Sequence, residues 1–222
     1  MFIGFINIAN AITLLGLSSS ITAIVFAGRH SYCLALMFFL IAGLCDMVDG
    51  TAARRTQKRT NRSRIYGVQL DSLCDMVSFG VAPCFIAYHL GYDTAFDVLI
   101  YIAFCICAAT RLAYFNAVAM EKPDLSTKSF IGVPVPFSCF STTVLMMFLS
   151  FGAAPAAMAW AFRIVYLLVA LAYILRVRVP KPTLKVAMIF GAVIFLLFLF
   201  TIMRWNTYSI TTAVENYISL TA

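Results

Sequence analysis

Long apolar runs separated by short polar stretches set the pattern of this chain. A helix that crosses a bilayer needs about 20 mostly apolar residues. Seven segments reach that length: 8–28, 32–53, 68–90, 95–117, 133–152, 155–175 and 184–203. The tail after Met203 carries Asn206, Thr207, Ser209 and Glu215, and reads either as a short eighth helix or as an interfacial one. No basic stretch precedes the first apolar segment, so it reads as a span that stays in the fold and not as a cleaved signal. The pattern predicts an all-α fold, a polytopic transmembrane helical bundle with a six-helix core plus one or two C-terminal helices. It forms a single integral membrane domain over 1–222, without internal repeats, whose core lies at about 8–175.

Composition agrees. Hydrophobic residues make up 63% of the 222 and charged residues only 11%, against about 25% charged in a soluble domain. A water-soluble globule is excluded. The net charge of +7 would suggest nucleic acid in a soluble protein, but in a membrane protein it reflects basic loops facing an anionic leaflet. Arg54, Arg55, Lys58, Arg59, Arg62 and Arg64 follow the second span, Lys122 and Lys128 the fourth, and Arg176, Arg178, Lys181 and Lys185 the sixth. Basic residues concentrate in cytoplasmic loops, so these alternate loops and the N-terminus are expected to face the cytoplasm of a cell membrane. Arg29 is the exception. The seven cysteines form no CxxC pair and no Cys/His zinc spacing, and read as small core hydrophobes.

Four of the nine acidic residues, Asp46, Asp49, Asp71 and Asp75, stand at the facing ends of the second and third apolar segments. An ionised carboxylate in a transmembrane helix costs a few kcal/mol even on the lenient insertion scale, and four together also repel. Hard divalent cations such as Mg²⁺, Mn²⁺ or Ca²⁺ are the natural compensation. Asp46, Asp49 and Ala53 stand at i, i+3 and i+7 on one helix face, and Gly67, Asp71 and Asp75 at i, i+4 and i+8 on another. The basic loop makes the two helices antiparallel neighbours, so the sets converge on a two-metal carboxylate site open to the cytoplasm. Gly50, Ala53 and Gly67 allow a ligand close approach. Two metals with Arg54 suit a pyrophosphate, and Asp75 is placed to take the proton of an attacking hydroxyl.

These residues resemble a known family. Asp46-x-x-Asp49-Gly50-x-x-Ala53-Arg54, then Gly67-x-x-x-Asp71-x-x-x-Asp75, is similar to the CDP-alcohol phosphotransferase signature, with a longer basic loop between the halves. Leu70 to Pro83 resembles the phosphatidylserine-forming group of that family. So does Arg111-Leu112-Ala113-Tyr114-Phe115-Asn116, with Tyr114 where Arg is usual, and Phe130 to Pro136. A weaker echo covers Asn7 to Leu17. The resemblance implies a transferase of phospholipid biosynthesis with a six-helix catalytic core, commonly a homodimer, taking CDP-diacylglycerol from the membrane and L-serine as acceptor. It implies that Asp46, Asp49, Asp71 and Asp75 hold two divalent ions, magnesium or manganese, with Asp75 also the general base. It places Asp49, Gly50, Ala53, Arg54 and Gly67 against the CDP moiety. Other members accept glycerol-3-phosphate or inositol phosphate, which are the alternative acceptors here. A divalent-cation transporter is the alternative of another class, but it would spread its acids over several helices at mid-membrane depth.

Three polar residues are candidates for the acceptor: Ser78, one turn beyond Asp75, Arg111 within its apolar span, and Asn116. Each has a plain alternative: Ser78 bonding its own backbone, Arg111 snorkelling, Asn116 orienting Arg111 or capping a helix. His30 and His89 fall near the opposite membrane side and receive no catalytic role. Arg163 either snorkels or pairs across helices. Pro134 and Pro136 open the fifth span.

Overall fold

The structure is a computed structural model that describes residues 4–5, 7–55, 60–121, 129–131, 133–151, 153–175, 178–180, 192–193, 195–200 and 202–203. Helix α1, Ile8–Gly28, begins at the N-cap Asn7, whose side chain accepts the Asn10 N–H at 2.9 Å. It ends where His30 takes a positive φ of 57°, the left-handed residue that often closes a helix. The chain turns at once into α2, Tyr32–Arg55. The two helices pack closely along a stripe of small residues: a Cβ added to Gly16 would lie 3.1 Å from Cys45 Cβ. Ser19 Oγ adds a 2.7 Å hydrogen bond to the Phe38 carbonyl. Small residues and interhelical hydrogen bonds are what bring helices together where lipid offers no hydrophobic contrast.

Helix α3, Asn61–Asp75, starts at the N-cap Thr60, which accepts the Ser63 N–H at 3.2 Å. The third span therefore begins seven residues before the expected 68, and its first turns carry the exposed Asn61, Arg62 and Arg64. The span runs on to His89 through a π-helical turn, Met76–Val81, and α4, Ala82–His89. Pro83 accounts for the turn. It has no N–H for the carbonyl four residues back, and its ring crowds that carbonyl. That carbonyl is Phe79's, and Ser138 Oγ donates to it at 2.7 Å. The Cys84 and Cys105 thiols both bond the Gly80 carbonyl, each at 3.4 Å.

Helix α5, Ala95–Glu121, is followed by β1, Ser129–Ile131, then α6, Phe137–Ser150, α7, Pro155–Ile174, and β2, Arg178–Pro180. Strands β1 and β2 pair antiparallel, Phe130 opposite Val179, and tie together two connections at the same end of the bundle. Nothing in the apolar pattern marks this ladder. The fifth span is shorter than the expected 133–152, since α6 has 14 residues and Val133–Pro136 precede it outside the helix. Among the described residues, five helices are long and apolar enough to cross a bilayer, and α6 is a shorter apolar one. With Leu99, Ile106, Trp160, Leu168 and Leu171 exposed on its outer faces, the chain is an integral membrane protein. Helical residues are described within 192–203, while 184–191 and the tail after Met203 lie outside the described residues.

An aromatic core fills the bundle beyond the acids. Phe39 and Phe79 face each other at 6.4 Å between centroids, and Phe104 stacks on Tyr166 at 5.1 Å. The Tyr166 hydroxyl donates to the Pro83 carbonyl at 2.9 Å. Arg163 pairs across helices: its Nε and Nη2 reach the two oxygens of buried Asp97 at 2.7 and 2.9 Å, and its guanidinium lies 4.9 Å from the Trp160 ring. Asp97 in turn belongs to a capping box with Thr94 at the start of α5. None of the seven cysteines, all among the described residues, forms a disulfide.

Candidate active site

Helices α2 and α3 bring the expected acids together. One carboxylate oxygen from each of Asp46, Asp49 and Asp71 lies within 4.8 Å of the others. Asp75, one turn beyond Asp71 at the end of α3, lies beside Asp46. Two carboxylate charges at about 4.8 Å repel by roughly 3 kcal/mol at an effective dielectric of 20, a sum over several pairs that side-chain packing does not offset. Clustered hard oxygen donors are the ligand type that Mg²⁺, Mn²⁺ and Ca²⁺ take. By the chemistry of their donors, the residues fit a divalent metal.

A residue that the sequence did not single out completes the cluster. Thr13 of α1 donates its hydroxyl to Asp49 Oδ2 at 2.6 Å. Asp49 is only 5% exposed, and this bond fixes one of its oxygens. A partner of this kind commonly orients a metal-binding carboxylate. The available signal was the polar pair Asn10 and Thr13 at i, i+3 in an otherwise apolar span. Asn10 is also buried and ties the N-terminal segment down through Nδ2 to the Phe5 carbonyl at 2.7 Å.

Gly50 and Ala53 follow Asp49 on α2, and Gly67 precedes Asp71 by one turn on α3; all three are partly exposed. Arg54 lies on α2, but its side chain is outside the described residues. Ser78 sits in the π turn and is 3% exposed. Arg111 is buried inside the bundle rather than snorkelling, and its Nε donates to the Val133 carbonyl at 3.3 Å. Asn116 neither caps a helix nor stands alone: its Oδ1 accepts from Ser72 Oγ at 2.8 Å and its Nδ2 donates to Gln69 Oε1 at 3.4 Å.

His30 and His89 meet at the other end of the bundle, where the Tyr32 hydroxyl bonds the His89 carbonyl and lies 2.8 Å from His30 Nδ1. They take no part in the acid cluster.

Three relatives share the name CDP-diacylglycerol--serine O-phosphatidyltransferase. The protein of Saccharomyces cerevisiae is 41% identical over 142 residues, 59% of this chain and 50% of its own length. That of Methanocaldococcus jannaschii is 33% identical over 131 residues, 59% and 56% of the two chains. That of Bacillus subtilis is 33% identical over 128 residues, 57% and 66%. The chain thus spans between half and two thirds of the length of these curated relatives. Residues 6–174 match the family described as CDP-alcohol phosphatidyltransferase. Because that match runs from just before α1 to the last residue of α7 and takes in every acid of the cluster, the chain belongs to the CDP-alcohol phosphatidyltransferase family.

Proposed function

We propose that this protein transfers the phosphatidyl group of CDP-diacylglycerol to the hydroxyl of L-serine, giving phosphatidylserine and CMP. The observation that carries the transfer chemistry is the convergence of Asp46, Asp49 and Asp71 within 4.8 Å, with Asp75 beside Asp46. The choice of serine rests on the shared name of relatives up to 41% identical. The basic loops support an orientation with the N-terminus and the acids at the cytoplasmic side of the cell membrane. A homodimer is part of the same reading.

In this mechanism Asp46, Asp49, Asp71 and Asp75 hold divalent metal, two ions of Mg²⁺ or Mn²⁺. Such ions neutralise phosphate oxygens and stabilise the charge that develops on a leaving phosphate. Gly50, Ala53 and Gly67 leave room for the CDP moiety, and Arg54 meets its phosphates. Asp49 serves both groups, held in orientation by Thr13. Arg111 and Ser78 lie on the elements that flank Asp75 and are assigned to serine, Arg111 to its carboxylate. Asp75 takes the proton of the serine hydroxyl as that oxygen bonds the phosphorus attached to diacylglycerol. The pyrophosphate P–O bond breaks and CMP carries away its electron pair.

The test is CMP release by the purified protein from CDP-diacylglycerol, with serine, glycerol-3-phosphate or inositol phosphate as acceptor. Serine-dependent release with a phosphatidylserine product is expected. Release with another alcohol and none with serine overturns the acceptor assignment, and release with no acceptor overturns the transferase reading.

A further inference from the structure

The side of α3 turned away from the acids carries a second set of polar residues. Gln69 and Ser72 stand at i, i+3, and Asn116 of α5 joins them, accepting from Ser72 Oγ at 2.8 Å and donating to Gln69 Oε1 at 3.4 Å. Gln69 Nε2 also lies 4.0 Å from Met120 Sδ, one turn further along α5. At 100° per residue this set faces away from the line of Gly67, Asp71 and Asp75 by more than a right angle. It therefore lines the seam with α5, where an apolar pair would fill the space without fixing one rotation.

Rotation is what the acid cluster needs fixed. On a helix about 5 Å in radius with its side chains, a roll of about 20° carries a carboxylate nearly 2 Å. An error of about 1 Å in such a site costs on the order of 100-fold in rate. Asp46 and Asp49 are held on α2, Asp49 by Thr13. Asp71 and Asp75 depend on the setting of α3, which the π turn after Asp75 does not stiffen.

We propose that Gln69, Ser72 and Asn116 form a clasp between α3 and α5 that sets the rotation of α3 and so holds Asp71 and Asp75 in register with Asp46 and Asp49. All three are positioning residues, and Asn116 acts here instead of on the acceptor. The proposal rests on the metal-dependent reading of the acid cluster.

The experiment uses the full chain in lipid nanodiscs, with Mn²⁺ binding followed by the electron paramagnetic resonance signal of the free ion, alongside CMP release. Asn116→Ala and Ser72→Ala are each expected to weaken Mn²⁺ binding about 10-fold, near the lower range for lost supporting partners. The double variant is expected to be no weaker than the worse single one, because the two residues share one bond. Ser72→Thr, which keeps the hydroxyl, is expected to restore binding to within about twofold of the parent protein. Serine KM at saturating metal is expected to stay unchanged. A raised serine KM in Asn116→Ala with unaltered Mn²⁺ binding overturns the clasp and returns Asn116 to the acceptor site. Additive losses also overturn it. If Asn116→Ala does not fold, the Ser72→Ala and Ser72→Thr pair carries the comparison alone. Should the parent protein bind Mn²⁺ yet release no CMP with any alcohol, the transfer reading fails while the clasp is still decided by the binding data.

Discussion

Replacing Thr13 by valine removes one hydroxyl and keeps the side-chain shape. Thr13 Oγ1 lies 2.6 Å from Asp49 Oδ2, and Asp49 is 5% exposed, so water does not readily replace the lost donor. A hydrogen bond to a charged group is worth about 1.5–3 kcal/mol. At about 1.4 kcal/mol per decade, that is a loss of roughly 10- to 100-fold. The second hydroxyl contact, to the Ala9 carbonyl at 3.1 Å within the same helix, adds little, because that carbonyl keeps its helical donor. The loss should appear as a higher metal concentration for half-maximal CMP release, with substrates saturating, since the bond orients a metal-binding carboxylate and touches neither substrate. Titrating Mn²⁺ against CMP release for Thr13→Val and Thr13→Ser reads this directly. The serine variant should follow the parent protein. If the valine variant has the parent's metal midpoint, the hydrogen bond does not orient Asp49 for metal, and the role assigned to α1 is wrong.

Asp75→Asn should retain CDP-lipid binding in a filter or fluorescence assay and lose turnover by about 10²- to 10⁴-fold, the range for a removed general base; unchanged turnover would clear Asp75 of that role. Arg163→Met leaves Asp97, 2% exposed by its side chain, without its bidentate partner. Thermal unfolding in detergent should show a loss of about 3–5 kcal/mol, which Asp97→Asn in the same chain partly restores. Ser138→Ala takes the donor from the Phe79 carbonyl and should cost about 1–3 kcal/mol by the same assay, as for other buried acceptors left unsatisfied. A stability equal to the parent's would mean that the π turn does not need Ser138.

The parts of this fold legible in sequence are those set by one-dimensional rules. Apolar length marked α1, α2, α5 and α7 to within a few residues, and the i, i+3 and i, i+4 spacing put the acids on facing surfaces, as the structure has them. What was not legible depends on partners distant in the chain. The start of α3 at Thr60 was obscured because its first turns are polar, and apolar length sees only the stretch after Gly67. The π turn follows from Pro83, visible in sequence, but its tolerance depends on Ser138, 59 residues away along the chain. The roles of Thr13 and Ser72 come from partners on other helices, Asp49 on α2 and Asn116 on α5, which no local spacing marks. Arg163 likewise had no assigned partner until α7 met α5 at Asp97.

The third span contains 29 residues from Asn61 to His89, about 40 Å at the rise of a helix, while the hydrocarbon layer is about 30 Å thick. The excess lies at the exposed Asn61–Arg64 end, so Asp71, about 15 Å along the helix from Asn61, sits close to the headgroup layer and well short of the midplane. A lipid held there keeps its tails among its neighbours, while a water-soluble alcohol reaches the same phosphorus from the other phase. Under the proposed transfer, the rate would follow the mole fraction of the lipid in the surface and not the amount suspended in the tube. Diluting CDP-diacylglycerol with inert lipid at constant total concentration should slow it as surely as removing the substrate.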